Sequence, residues 1–386
     1  MTDRKGNTNR KLTNARKARK DEYYTQREVI EDELHWYKND FQGHTVLCNC
    51  NDWPKDGFPR SEFVRFFMRK MASWNIPRLI AVGYRDSYGT LFEEGHGTLY
   101  ELVNDGRPAD QSYTEDDFKV TELEESGGFE TPECERLLDI PGVIVCTNPP
   151  FSLLRDYLPL LDRHHVGFLV LAPINAVTYK EIFPLFKEER CWLGVSIHGG
   201  ERAFWVPEEY ADDSYGFARD SEGHAYAKVG VRWFTNLPSG RTGKNELSLE
   251  GNRYYGNESK YPKYDNYDAI NVDHTQDIPE DYFGDMGVPI TFLDKWAPQV
   301  DDIERERERE RVQNHRQTQQ RNNGTVRSWA TQNQRTESIQ ANHHPTFRLV
   351  GELKHGKDGP WDKAEPRISG KVKYMRLLIR RSNCLA

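Results

Sequence analysis

The sequence predicts an α/β fold with a doubly wound, mainly parallel sheet, followed by a smaller region of different composition. Apolar runs typical of buried strands alternate with helical stripes over the first two thirds of the chain. With 386 residues and 36% hydrophobic content, the chain is long enough to bury a large core. Beyond Leu237 the alternation stops, and basic, amide and aromatic residues are interleaved instead.

Charge is distributed unevenly along the chain. The net charge of −8 argues against a generic nucleic-acid binder, yet the first 20 residues are basic. Residues 1–20 have no apolar periodicity and predict a disordered basic tail. Residues 299–345 contain a Glu/Arg repeat and a Gln/Asn/Arg-rich run, with too few aliphatic residues to offset the entropy of ordering. We therefore predict a disordered low-complexity insertion there.

Cysteine usage and hydropathy bear on the cellular compartment. The 6 Cys residues are scattered and give no disulfide framework, and Cys48-Asn49-Cys50 lacks the second pair that a zinc site needs. Neither a signal peptide nor an apolar run of membrane-spanning length is present. These features predict a reduced cytoplasmic protein without a metal or a membrane contact.

The elements of the first half follow from periodicity. The pattern first predicts a helix with the buried stripe Ile30, Leu34, Tyr37 and Phe41, followed by a strand at Thr45–Cys50. It then predicts a helix capped by Ser61 and a strand at Arg78–Tyr84. The apolar residues of this second helix are Phe63, Phe66, Phe67, Met71 and Trp74. Residues 87–140 are Gly-rich and acidic and predict an excursion with a small hairpin around Thr98–Val103.

The central strand, Val143–Cys146, runs into Asn148-Pro149-Pro150-Phe151. Ser152 is placed to cap a helix over Leu153–Leu161. The next segments predict a strand at Val166–Leu171 and a helix broken near Pro184. Further strands are predicted at Cys191–Ile197, Ala203–Val206 and Val229–Thr235.

The tetrapeptide Asn148-Pro149-Pro150-Phe151 is the candidate active site. It forms a rigid polar and aromatic loop at the carboxyl end of a buried strand, where open α/β sheets bind ligands, although two prolines there are also consistent with a plain turn. The Asn148 carboxamide oxygen and the Pro149 carbonyl could each accept one N–H of an exocyclic amine. Phe151 could supply a flat face on which a planar ring stacks.

Several segments resemble one enzyme family. Thr147–Phe151 resembles the catalytic motif of S-adenosylmethionine-dependent DNA adenine-N6 methyltransferases. Leu47–Asp52, Tyr264–Ile270 and Gly284–Lys295 are similar to stretches of the EcoRI-type modification methylases. The resemblance covers most of the chain outside the tail and the insertion. It implies a sheet of about seven strands with one antiparallel, and S-adenosylmethionine as cofactor.

The resemblance also implies a donor-binding set. Its members are Tyr24, Thr25, Asn49, Cys50, Asn51, Tyr84, Phe129 and Thr147. The chain departs from the family in two ways. Gln26 stands where many relatives have Pro, and Gly128 stands where the family has an Asp that reads the cofactor adenine. No Rossmann-type Gly-rich fingerprint is present, and Asp86 is not assigned to the ribose.

The region after Leu237 is the candidate DNA-binding part. Cations and amides suit phosphate and base-edge contacts, and a solvated Tyr-rich loop is the alternative. The predicted DNA-binding residues are Arg241, Lys244, Asn252, Arg253, Tyr255 and Lys260. We predict a catalytic domain at 21–238 and a target-recognition region made of 239–298 with 346–386.

The predicted function is sequence-specific adenine-N6 methylation of duplex DNA by a monomer. By analogy, a protective role in restriction-modification is expected, with a cognate endonuclease that acts on the same site without direct contact. Two alternatives stay open from sequence alone. One is an RNA or protein-glutamine methyltransferase, and the other is a catalytically silent DNA-binding relative that keeps the fold.

Overall fold

The computed structural model of the chain describes residues 24–52, 61–85, 95–206, 218–298, 347–353 and 366–381, except for 222, 245, 246, 248, 250, 370, 374 and 375. Among these residues no helix is both long and apolar enough to cross a membrane. The predicted tail at 1–20, the predicted insertion at 299–345 and Asp86 lie outside the described residues.

Short strands dominate the described residues. In chain order they are β1 (Tyr24–Thr25), β2 (Thr45–Asp52), β3 (Arg78–Tyr84), β4 (Thr98–Val103), β5 (Lys119–Glu122), β6 (Ile144–Thr147), β7 (Gly167–Pro173), β8 (Trp192–Leu193), β9 (Arg202–Trp205), β10 (Ala218–Arg219), β11 (Ala225–Val229), β12 (Val231–Thr235), β13 (Ala269–Asn271), β14 (Asp285–Val288), β15 (Phe347–Leu353), β16 (Arg367–Ile368), β17 (Lys371–Val372) and β18 (Arg376–Arg381). The α-helices are α1 (Arg27–Leu34), α2 (Lys38–Phe41), α3 (Glu62–Lys70), α4 (Pro132–Leu138), α5 (Leu154–Arg163) and α6 (Phe183–Lys187).

The central sheet has eight strands in the order β5-β4-β3-β2-β6-β7-β12-β8. Its four middle strands, β3, β2, β6 and β7, are parallel, as the sequence predicts. The strand pairs on both flanks are antiparallel, so the sheet as a whole is mixed rather than mainly parallel. On one flank β4 folds back directly onto β3 without a crossover helix, and an antiparallel partner needs none.

Helices cover both faces of this sheet, which gives a mixed α/β architecture. Successive residues of β2 point to opposite faces, because Val46 and Cys48 belong to one apolar cluster and Leu47 to the other. α1 and α3 pack on the Val46 side, and the predicted stripe of Ile30, Leu34, Tyr37 and Phe41 is fully buried there. α4, α5 and α6 pack on the Leu47 side.

Two smaller sheets flank the central one. β1, β9, β11 and β10 form the first, so the segment before α1 is held by strands from the middle of the chain. β13, β14, β18 and β15 form the second. Met286 and Ile379 of this C-terminal sheet belong to the same buried cluster as Leu47. The C-terminal sheet therefore shares a buried cluster with the central sheet, while the predicted domain boundaries stay predictions.

Three local predictions need correction. Ser61 does occupy the N-cap of α3, but its side chain makes no capping hydrogen bond. α5 begins at Leu154 after a 3₁₀ turn over Phe151–Leu153, so Ser152 lies inside that turn and is not the cap. Pro184 lies in the first turn of α6 and does not break a helix, because the first turn is where a missing backbone N–H costs nothing.

Candidate active site

The tetrapeptide Asn148-Pro149-Pro150-Phe151 lies at the carboxyl edge of the sheet's parallel core. It follows β6, which is flanked by β2 and β7 in parallel register. Pro149 disfavours helical geometry at the preceding residue, and residues 148–150 belong to neither a helix nor a strand. Pro149 is buried and Asn148 is partly exposed. Phe151 is partly buried and contacts both apolar clusters. The loop is therefore fixed on its inner side and open on its outer side.

The end of β2 brings a second set of polar groups to this edge. Asn49 is only 3% exposed, and its Oδ1 accepts a hydrogen bond of 2.5 Å from the Tyr157 hydroxyl of α5. Within the described part of the chain the Asn49 side-chain nitrogen has no hydrogen-bond partner. A buried donor without a partner costs free energy unless a ligand or water satisfies it. Asn49 is thus suited to hold a ligand.

Two side chains near Asn49 stay neutral. Burial raises the pKa of the Cys50 thiol to about 12, against smaller opposing effects of hydrogen bonds with Tyr157 and Thr147. Burial also holds the pKa of the Tyr157 phenol well above its usual range. Because a thiol rather than a thiolate is present at neutral pH, Cys50 is not a nucleophile. It contributes shape to this edge, and Tyr157 contributes a hydrogen-bond donor.

The loop at 126–130 covers the end of β3 beside these groups. Gly127 has a φ of +79°, and a Cβ atom there would lie 2.9 Å from the carbonyl oxygen of Gly83. Glycine is therefore required for this close approach. Phe129 is 7% exposed, and its ring meets that of Tyr157 edge-on at 4.9 Å between centroids. The predicted residues Asn49, Cys50 and Phe129 are thus brought together around one tyrosine.

Glu130 is a candidate that the sequence did not single out. A Cβ atom built on Gly128 would lie 3.1 Å from Glu130 Oε2, so the Glu130 carboxylate fills the space that a side chain at 128 would take. Phe129 and Glu130 form one wall of a cleft of about 480 Å³, and Arg155 and Asp156 of α5 form another. An acid two residues after Gly128 was a signal in the sequence, but only the fold shows that its carboxylate folds back.

The other residues predicted to bind the methyl donor lie on β1, β2 and β3. Tyr84 ends β3 and pairs with Asp52 of β2, and Asn51 pairs through its backbone with Gly83. Tyr24 and Thr25 lie in the first small sheet, opposite Trp205 and Phe204. The Thr25 hydroxyl is buried, and among the described residues it has no hydrogen-bond partner.

Comparisons with known proteins identify the family. The family model described as adenine-specific methyltransferase EcoRI matches residues 11–382. The chain belongs to this EcoRI methylase family. Its relatives include the Type II methyltransferase M.EcoRI of Escherichia coli, 41% identical over 299 residues, which are 76% of this chain and 87% of that protein. M.MpnI of Mycoplasma pneumoniae is 38% identical over 291 residues, 74% of this chain and 82% of that protein. No solved structure gives a significant match.

As a member of the EcoRI methylase family, the chain is an adenine-specific, site-specific DNA methyltransferase, as the motif predicted. The sheet and the helices on its two faces are consistent with a methyltransferase fold. Asn148-Pro149-Pro150-Phe151 therefore lies, within an adenine-specific methyltransferase, at the edge of the sheet where ligands bind.

The predicted DNA-binding residues of this EcoRI-family chain differ in their surroundings. Arg253 and Lys260 are more than half exposed and pair with Glu280 at 3.0 Å and Asp277 at 3.2 Å. Tyr255 is 65% exposed. These three side chains are accessible to a partner.

The other three predicted DNA-binding residues are engaged within the protein. Arg241 stacks over the Trp192 ring at 4.2 Å, and the Asn252 side-chain nitrogen donates to the Gln276 carbonyl at 2.6 Å. Lys244 is 7% exposed and donates to the Asp294 carbonyl at 2.8 Å. The structure therefore does not present Lys244 to a phosphate, contrary to the sequence-based expectation.

Proposed function

We propose that this methyltransferase moves the methyl group of S-adenosylmethionine to the N6 amine of an adenine that is flipped out of duplex DNA. The observation that carries the proposal is the position of Asn148-Pro149-Pro150-Phe151 at the end of β6, between the ends of β2 and β7. This edge is where open α/β sheets bind ligands. The Asn49 nitrogen without a partner supports a ligand beside that loop.

The chemistry of the amine explains the residue types. The N6 lone pair of adenine is delocalised into the ring, so the amine is a poor nucleophile. The Asn148 carboxamide oxygen and the Pro149 carbonyl each accept one N–H and draw the nitrogen towards a tetrahedral geometry. Fixed acceptors need no reorganisation as the reaction proceeds. No general base is required, because the proton leaves after the nitrogen has become cationic.

The flipped base needs a surface to replace its lost stacking. Phe151 is partly exposed next to Asn148 and is held by contacts with both apolar clusters. It supplies the flat face on which adenine rests. Because the ring is held by the core, the base is oriented as well as bound.

The residues around Tyr157 fit the methyl donor. S-adenosylmethionine supplies an electrophilic methyl group on a sulfonium when it is bound. Asn49 and Thr147 offer polar groups at the strand ends, and Phe129 and Glu130 offer an aromatic edge and an acceptor for the adenosine part. Tyr84, Cys50 and the backbone of Asn51 shape the same edge. Tyr24 and Thr25 are proposed to contact the donor from the first small sheet.

On the DNA side we propose roles for Arg253, Tyr255 and Lys260, whose side chains are exposed. We also infer that the enzyme acts as a monomer and protects its site within restriction-modification. A cognate endonuclease would then act on the same sequence without contacting this chain. Sequencing of modified bases in DNA from cells that make the protein tests the site and the activity together.

The decisive experiment is transfer of label from S-[methyl-³H]adenosylmethionine to duplex DNA. The intact protein should label adenine at N6, and Asn148→Ala should lose activity by about 10²-fold or more, as expected on removal of a preorganised acceptor. Asn39→Ala is the matched control, because Asn39 is exposed on α2. Unchanged labelling by Asn148→Ala would contradict the proposed role of the motif. Labelling of RNA or of a protein in place of DNA would favour the alternative substrates.

A further inference from the structure

A buried ionic cluster lies between the C-terminal region and the central sheet. Arg232 donates through Nε and Nη2 to the two carboxylate oxygens of Asp294, at 2.6 and 3.0 Å. Lys244 donates to the main-chain carbonyl of the same aspartate at 2.8 Å. The three residues are 4%, 3% and 7% exposed, respectively. Residue 294 is therefore held at both its side chain and its backbone.

The three members come from parts of the chain that the fold must bring together. Arg232 lies on β12, where it pairs with Ala172 near the end of β7. β7 is the direct neighbour of β6, the strand that carries Asn148. Asp294 ends the 3₁₀ segment Ile290–Asp294, which follows β14 of the C-terminal sheet. The cluster thus links the C-terminal sheet to a strand two positions from the catalytic loop.

An ion pair of this kind fixes geometry more than it adds stability. Taking two charges out of water costs free energy that their attraction only partly recovers, and apolar replacements of similar volume are often equally stable. A planar guanidinium against a planar carboxylate, in contrast, allows few relative orientations. The apolar contacts around the cluster, such as those of Phe292 and Leu293, are not directional in this way.

We propose that Arg232, Asp294 and Lys244 are positioning residues that set the C-terminal region relative to the Asn148 loop, so that bound DNA is presented to the catalytic site in register. This inference rests on the proposed function, because the C-terminal region must contact DNA for its position to matter. It gives Lys244 a role in orienting the DNA-binding part, in place of the phosphate contact expected from the sequence.

The test replaces the charges with apolar groups of similar volume. The double variant Arg232→Met/Asp294→Leu should fold with a melting temperature close to that of the intact protein and bind S-adenosylhomocysteine equally well. Its KM for cognate duplex should rise about tenfold, equivalent to about 1.4 kcal/mol. Its preference for the cognate site over a site with one altered base pair should fall, while kcat changes less than KM. The control is Arg107→Met/Asp117→Leu, an ion pair on the β4–β5 excursion with a distance of 2.9 Å.

A second readout does not depend on activity. Hydrogen exchange of the backbone amides at 285–298 should accelerate in the double variant, while exchange in β2 stays unchanged. The double variant is preferred to a single variant such as Asp294→Asn, which would leave the buried Arg232 charge without its partner and could prevent folding. Unchanged exchange at 285–298, or an unchanged KM and site preference in an active double variant, would overturn the inference. Absence of methylation by the intact protein would instead reject the proposed function and leave the exchange experiment to decide the positioning role.

Discussion

Glu130 provides a carboxylate in the region proposed to bind the methyl donor, where position 128 is a glycine. Its carboxylate lies over Gly128 and next in sequence to Phe129, whose ring packs on Tyr157, the hydrogen-bond partner of Asn49. A carboxylate accepts hydrogen bonds and cannot donate them when it is ionised. It therefore suits the exocyclic amine of an adenine ring, which has two N–H groups to donate.

The first prediction replaces one of the two acceptor oxygens of Glu130 with a donor amide group. Glu130→Gln should weaken binding of S-adenosylhomocysteine about tenfold, as expected for loss of a hydrogen bond to a charged group. The same variant should strengthen binding of the analogue in which hypoxanthine replaces adenine, because a carboxamide can donate to the carbonyl of that base. Titration calorimetry measures both affinities, with Glu122→Gln on the exposed strand β5 as control. Parallel losses for the two ligands would contradict the assignment of Glu130 to the amine.

The positions of the Glu130 and Lys244 side chains could not be predicted from the sequence. Asn148-Pro149-Pro150-Phe151 is contiguous, so a catalytic role for it can be predicted from local chemistry and the strand before it. The position of the Glu130 carboxylate depends on a backbone turn, and the burial of Lys244 depends on Asp294, 50 residues later in the chain. The sequence alone does not distinguish a lysine that is exposed and contacts phosphate from a lysine that is buried and donates within the protein.

At the scale of elements, α4 and α5 are joined by a histidine. His164 follows α5, and its ring nitrogens lie 3.0 Å from Glu135 Oε1 and 2.9 Å from Asp139 Oδ1. The hydrogen bond with Glu135, and to a smaller extent the one with Asp139, raises the pKa of His164 above its usual 6.5. The protonated ring thus connects the C-terminal ends of two helices on one face of the sheet.

The second prediction concerns the pH dependence of this link. Since the folded pKa is raised, the contribution to stability is fully present below pH 6.5 and is lost as pH rises through the folded pKa. His164→Gln should lower the free energy of unfolding by about 1 kcal/mol at pH 6, because the carboxylates are partly exposed. By pH 9 the difference should be close to zero. Urea unfolding at the two pH values measures it, with the exposed His35→Gln as control. A loss of equal size at both pH values would contradict the role of the charge.

Element prediction succeeded where one physical signal dominated. The bounds of β3 match the predicted strand Arg78–Tyr84, since this short apolar run begins directly after Pro77 and has the length of a strand. The stripe Ile30, Leu34, Tyr37 and Phe41 is buried as expected because helical spacing sets one face, although a 3₁₀ turn over His35–Tyr37 separates α1 from α2. The sequence also predicts strands at β12 and β4, but not that both run antiparallel to their neighbours β7 and β3. Apolar alternation reveals a strand, but not whether it runs parallel to its partner.

At the scale of the whole molecule, the buried cation Lys244 affects global stability. Burial lowers its pKa from 10.5 to about 8, against the opposing attraction of Asp294 and Glu33, while Lys295 and Arg232 add to the lowering. Between these two values the unfolded chain binds a proton at Lys244 that the folded chain lacks. The free energy of unfolding therefore gains up to about 1.4 kcal/mol per pH unit from this residue as pH rises through that window.

The third prediction isolates this effect. The variant Lys244→Met lacks the group whose pKa is lowered. The free energy of unfolding of the intact protein should therefore rise relative to that of the variant between pH 8 and pH 10. Chemical unfolding across this range gives the difference directly, and titrations elsewhere in the chain cancel. A difference that stays constant with pH would mean that Lys244 has an ordinary pKa in the folded protein.

The position of β12 in the central sheet determines when the sheet can be completed during synthesis. β8 leaves the ribosome about 40 residues before β12, yet within the described chain β12 is the strand it pairs with. Trp192 and Leu193 must therefore wait for Val231–Thr235 to insert beside β7 before they have a partner in the sheet. Strand pairings distant in sequence form slowly. A nascent chain that ends before β12 thus contains the complete Asn148 motif but lacks the strand that carries Arg232. The proposed catalytic loop is therefore made before the proposed anchor of the C-terminal region.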